Sequence, residues 1–135
     1  MPAPKRTPSP RETRAAITKK PRLPKLAKGE VYAGITLHDD RLNHLILLPG
    51  STKANWEDAG AWASKKGGAL PSRHDGLVLF KHAKAQFKTE WYWLDAQLAV
   101  GPAFAWYQHF GWGFQYDNHT DDQLFARAVR RVPIQ

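Results

Sequence analysis

The sequence predicts an α+β fold, two helices packed on short antiparallel strands, and three observations predict it. Two strand-like segments come first, two capped amphipathic segments follow, and the remainder is a run of short, aromatic-rich strand patterns broken by turn residues. That order starts near Glu30. Residues 1–29 hold six of the ten prolines, nine Lys or Arg against one acidic residue, Glu12, and no aromatic ring. Proline blocks regular structure and so little apolar surface cannot form a core, so this stretch is expected to be a disordered basic arm. The chain therefore divides into an arm, 1–29, and a domain, 30–135.

Within the domain, Val31 to Leu37 reads as a strand, Asp39-Asp40-Arg41 as a turn, and His44 to Leu48 as a second, well-buried strand ended by Pro49-Gly50. The first helix is expected to start at Asn55 as N-cap, with Asp58 three residues on, and to stop at Lys66 before Gly67-Gly68. Its core face would be Ala59, Trp62 and Ala63. Ser72 caps the second helix, again with an acidic residue, Asp75, at the third position. Leu77, Phe80, Ala83 and Phe87 recur at helical spacing and are expected to form its buried stripe. Strands follow at 91–96, 104–110, 114–118 and 124–134, with Gly111-Trp112-Gly113 as a tight turn between the second and third of these.

Charge is divided as sharply as structure. The arm carries a net charge of +8, whereas residues 30–135 hold eleven basic and eleven acidic residues. A basic arm on a neutral domain can hold nucleic acid or another polyanion by phosphate contacts without reading sequence. The candidate residues are Lys5, Arg6, Arg11, Arg14, Lys19, Lys20, Arg22 and Lys25. The absence of cysteine excludes disulfides, thiolate metal sites and a cysteine nucleophile. The N-terminus lacks the apolar core of a secretory signal, and the longest aliphatic run, Leu45 to Leu48, is far too short to span a bilayer. A protein kept in a cytoplasm or packaged in a particle is expected.

Catalytic signatures are missing: there is no Gly-x-Ser-x-Gly, no phosphate-binding glycine loop and no His-Glu-x-x-His. The six histidines do not share metal-ligand spacing, and no cofactor or metal is expected. Asp117-Asn118-His119-Thr120-Asp121-Asp122 offers oxygen ligands but lacks the spacing of a calcium loop, and these residue types favour turns. What stands out is the aromatic block. Ten of the sixteen aromatic residues fall between Trp91 and Tyr116, more ring area than a small domain hides easily. Trp62, Phe80, Trp93, Trp106 and Phe110 are expected in the core, with Phe104, Trp106 and Phe110 pointing inward from one strand. That leaves Tyr107 and His109 on its other face. With Trp112, Gln115, Tyr116, Asn118 and His119 they form the candidate ligand face, since Trp and Tyr offer both a ring and a polar handle. Arg127 is a candidate buried arginine, with Asp95 as a possible carboxylate partner.

Five spaced elements then form a familiar order: Trp56-Glu57-Asp58-Ala59, Gly68-Ala69-Leu70-Pro71-Ser72-Arg73, Trp91-Tyr92-Trp93, Ala105-Trp106 with Phe110-Gly111, and Arg127-Ala128-Val129-Arg130-Arg131-Val132. The sequence in this respect resembles the Lcl C-terminal family, bacterial and phage domains named for the end of a collagen-like adhesin. The resemblance covers about residues 30–134. It implies a C-type-lectin-like fold in which the first and last strands pair, a role in adhesion or ligand binding, and a phage or prophage origin. Leu94-Asp95 stands where the family often has Ser-Ser, and the calcium-sugar motif Glu-Pro-Asn is absent. The expectation is a non-enzymatic module that binds a glycan or protein through its C-terminal aromatic face. The alternative is a nucleic-acid-associated or particle-structural protein acting through its arm.

Overall fold

A computed structural model describes Thr7, Ser9 and residues 22–134. The elements, in chain order, are β1 (Val31–His38), β2 (Arg41–Leu47), β3 (Thr52–Ala54), α1 (Trp56–Lys65), α2 (Arg73–Ala83), a 3-10 turn (Lys84–Gln86), β4 (Trp91–Leu98), β5 (Gly101–His109), β6 (Gln115–His119), β7 (Leu124–Ala126) and β8 (Val129–Pro133). The architecture is α+β, with two helices and two mainly antiparallel sheets. One sheet has the order β1-β2-β8 and the other β3-β7-β4-β5-β6. In the second, only the β4–β7 contact, Tyr92 opposite Phe125, is parallel.

Local chemistry places most of these elements. Asp39 and Asp40 both take positive φ, 50° and 59°, the turn that matches strand twist in a two-residue hairpin. Asp tolerates that conformation better than most side chains. Asn55 accepts a hydrogen bond from the Asp58 N–H and caps α1. Ser72 and Asp75 form a reciprocal capping box at the start of α2. Both helices thus begin where the sequence predicts.

The buried side of α2 differs from the expected stripe. Leu77 is exposed and Phe87 lies beyond the helix end, while Asp75, Gly76, Leu79 and Ala83 face inward. Asp75 is fully buried. It accepts from Thr36 Oγ1 (2.6 Å), from Arg131 Nε (3.0 Å) and from the Ser72 N–H (2.9 Å). Those bonds tie α2 to both β1 and β8. Gln108, also fully buried, donates to the Gly76 carbonyl (2.6 Å) and ties the same helix to β5.

The terminal strand pattern is split. Residues 124–126 pair with β3 and β4, and residues 129–133 pair with β2 in the other sheet, so the chain changes sheets at Arg127-Ala128. Arg127 does not pair with Asp95. It donates to the Gln86 and Leu48 carbonyls at 2.7 and 2.9 Å, and its guanidinium lies 5.4 Å from the Phe87 ring centre. Burial lowers its pKa from the ordinary value. β8 pairs with β2, not with β1 as a first-to-last pairing would require, so β2 stands between β1 and β8 in its sheet.

The two ends of the described chain meet nonetheless. Arg130 holds both Glu30 carboxylate oxygens at 2.8 Å and reaches the Lys25 carbonyl at 3.2 Å. The packed chain therefore begins ahead of Glu30. Arg22, Leu23, Pro24 and Lys25 line a cleft of about 610 Å³ with His44, Val132, Pro133 and Ile134. Two apolar clusters fill the interior. One gathers Trp93, Leu70, Leu124 and Ala126 beneath Ala59 and Ala63 of α1. The other gathers Leu45, Leu47, Tyr92, Phe110 and Val129 beneath Leu79 and Ala83 of α2.

Candidate ligand-binding face

Cross-strand partners in a sheet project to the same side, so the registers define who shares a face. Trp91 stands opposite His109, and Trp93 opposite Tyr107. Tyr107 stands opposite Tyr116, and Ala105 opposite Asn118. The His109 N–H donates to the Phe114 carbonyl (3.0 Å), extending the same ladder into the turn. Two rows result: Trp91, His109, Phe114, and beside it Trp93, Tyr107, Tyr116. The second row runs from core to solvent. Trp93 is fully buried, Tyr107 is 8% exposed and Tyr116 is 62% exposed.

Ring contacts join these residues into one surface. Trp91 stacks on Tyr107 with centres 5.3 Å apart, and His109 lies parallel to Phe114 at 5.5 Å. Tyr107 meets Phe114 edge-on at 6.2 Å. Trp112 lies 5.6 Å from His109 and 6.4 Å from Phe114, and it is 82% exposed. The turn that carries Trp112 is fixed by two bonds on His109: the Gly113 N–H donates to its carbonyl (2.7 Å), and the Gly111 N–H donates to Nδ1 (3.1 Å). Because Nδ1 accepts, the neutral ring carries its proton on Nε2. Gly113 has φ of +83°, and a Cβ there would meet the Phe80 ring at 2.8 Å. Only glycine fits that point without displacing Phe80. Burial, then Asp117 and Tyr116, raise the Tyr107 phenol pKa above its ordinary 10.0, so it stays a neutral donor.

The structure brings Tyr107, His109, Trp112 and Tyr116 together, with Asn118 further along the same side of β6. It separates Gln115 and His119 from them. Gln115 is on the opposite side, donating to the Arg73 carbonyl (2.7 Å) and to Gln108 (2.8 Å). His119 faces Phe104 across the strands, and its Nδ1 accepts from the Asp121 N–H in the turn that ends β6. Phe104 and Trp106 likewise point away from the Tyr107 side. The Arg73 guanidinium covers Trp106 at 3.6 Å, and Phe104 is exposed. Inward parity fails here because buried side chains stand on both sides of β5. Ala105 and Tyr107 lie in the cluster under α1, while Gln108 sits under α2. Of the rings expected in the core, Trp93 and Phe110 are fully buried; Trp62, Phe80 and Trp106 are half-buried.

Two residues of the face escaped the sequence reading. Phe114 shares the parity of Tyr116 on one strand pattern, which was a usable signal. Trp91 depends on the β4–β5 register, which bulges between Trp93 and Gln97 and cannot be counted from sequence. Of the polyanion candidates, Arg22 and Lys25 border the 610 Å³ cleft. Lys5, Arg6, Arg11, Arg14, Lys19 and Lys20 lie outside the described residues.

The face is flat. Trp91 borders a cleft of about 220 Å³ shared with Lys53 and Phe125. Among the described residues, no three His, Asp or Glu side chains converge on a point that could hold a metal ion, and no helix is long and apolar enough to cross a membrane. Comparison of the sequence with protein-family models and with curated proteins finds no match.

Proposed function

We propose that this protein is a non-enzymatic recognition module, lectin-like in fold and of phage or prophage origin, which binds a glycan or protein ligand through the aromatic face of β4, β5 and β6. The observation that carries this reading is the exposure of a connected ring surface. Trp112 is 82% and Tyr116 62% exposed, and Trp91 and Phe114 are exposed beside them. A small domain that leaves so much aromatic area in water forgoes stability it would gain by burying it, and such patches mark interaction sites. The lectin-like assignment draws on the five ordered motifs that resemble the Lcl C-terminal family.

The test is binding of the full chain to glycan and protein panels at physiological salt, beside Trp112→Ala and Tyr116→Ala. Saturable binding weakened at least about tenfold by either substitution supports the face, a loss of about 1.4 kcal/mol. Binding that ignores both substitutions removes it. The asymmetry of charge favours a second reading, in which the basic arm holds nucleic acid. Arm-driven binding falls steeply as salt rises and is blind to Trp112.

A further inference from the structure

We propose that β6 is a docking edge to which an extended segment of a partner protein adds as a strand, laying alternate side chains on the aromatic face. The proposal rests on the function proposed above and names its partner. β6 is the terminal strand of its sheet. Its register with β5 places the His109 N–H on the Phe114 carbonyl and the Thr120 N–H on the Ala103 carbonyl. Hydrogen-bonded pairs alternate in an antiparallel ladder, so Tyr116 and Asn118 spend their main-chain groups on β5. Gln115 and Asp117 then turn their N–H and C=O outward, where no described strand stands.

An exposed edge of this kind is a template for a further strand. A strand bound there directs every second side chain to the Tyr116 side, next to Phe114 and Trp112. A glycan could use the rings but has no use for evenly spaced main-chain donors and acceptors. Charge sets the direction. Arg73 stands at the Gln115 end of the edge, bonded to that side chain, whereas Asp117 lies at mid-strand and Asp121 and Asp122 follow its C-terminal end. An antiparallel partner strand therefore carries Lys or Arg at its N-terminal end, over the carboxylates, and a bulky apolar side chain opposite Tyr116.

The experiment measures binding of the full chain to synthetic octapeptides in which two lysines precede threonine alternating with Val, Leu, Tyr or Trp. Asp117→Pro removes one outward N–H and leaves the β5 ladder intact, since an edge strand tolerates proline at such a position. Asp117→Asn keeps the N–H and removes only charge. Expected are binding by at least one peptide, loss of about tenfold or more in Asp117→Pro, and a smaller, salt-sensitive loss in Asp117→Asn. N-methylating the peptide's alternate amides should also abolish binding. Peptide should slow hydrogen exchange at the Gln115 and Asp117 amides of the unaltered protein, a readout that stands even if the proline variant fails to fold. Binding lost in Trp112→Ala but kept in Asp117→Pro, or captured glycan without captured peptide, overturns the edge and leaves the face. Loss in Asp117→Pro alone supports the edge and removes the face. Self-association abolished by Asp117→Pro overturns the proposal in favour of a second copy of this chain.

Discussion

Asp75 and Trp112 mark the two extremes of what one side chain does in this protein. Asp75 has no solvent contact, and burial alone would raise its pKa. Hydrogen bonds from Arg131, Thr36 and the Ser72 N–H outweigh that and hold the carboxyl below its ordinary 3.8. A folded-state pKa below the unfolded one means stability that is complete above pH 3.8 and lost as pH falls through the lower folded value. Replacing the carboxylate leaves the Arg131 guanidinium, itself mostly buried, without a counter-charge. Asp75→Asn should therefore cost about 3 kcal/mol in urea unfolding at neutral pH, within the range for breaking a buried pair. Trp112 is the opposite case. Its ring is almost entirely in water, so Trp112→Ala should change stability by no more than about 0.5 kcal/mol in the same titration while removing much of the proposed binding surface.

Elements differ in how far they could be read in advance. Both helix starts were legible, because a cap is a local bargain between a side chain and main-chain N–H groups three residues away. The buried side of α2 was not. Its inward residues include a carboxylate and a glycine, and a search for apolar periodicity passes over Asp75 and Gly76 in favour of Leu77. Their burial makes sense only with partners from β1, β5 and β8 in place. β3 is three residues long, too short to show alternation, and the single pattern at 124–134 became two strands because the chain changes sheets at Arg127. The candidate ligand face was half legible for the same reason: parity within β6 is in the sequence, whereas the β4–β5 register is not. α2 supplies a paired prediction. Ser72→Ala should cost about 1 kcal/mol through the lost cap. Gly76→Ala, favourable in an open helix, should here destabilise by about 1–3 kcal/mol, since its Cβ would stand 2.7 Å from Gln108 Oε1, which Gln115 and the Gly76 carbonyl hold in place. Thermal melts of the two variants separate a capping loss from an overpacking one.

At the scale of the whole molecule, the proposed recognition surface and the closure of the chain are built at different places. The rings stand on β4, β5 and β6, in one sheet, whereas Glu30 and Arg130 join the beginning and end of the packed chain at the other. That separation allows one to be weakened without the other. The Arg130 guanidinium, then the Ala27 N–H, lower the Glu30 pKa from 4.5 to about 2. The ion pair therefore contributes fully above pH 4.5 and fades as pH falls from there through about 2, the carboxylate taking up its proton later in the folded chain than in the unfolded one. Glu30→Gln should lower the urea midpoint by a constant amount at every pH above 4.5. The gap between variant and parent should then narrow as pH falls toward about 2, where half of the folded parent's Glu30 carboxyls are protonated, and close below it. A gap that persists well below that pH would mean that the amide has disturbed packing instead of removing a charge. Because the pair lies in the other sheet, Glu30→Gln at neutral pH should leave ligand capture by the aromatic face unchanged, and a parallel loss of both would show that closure of the chain ends and the β4–β6 surface are one cooperative unit.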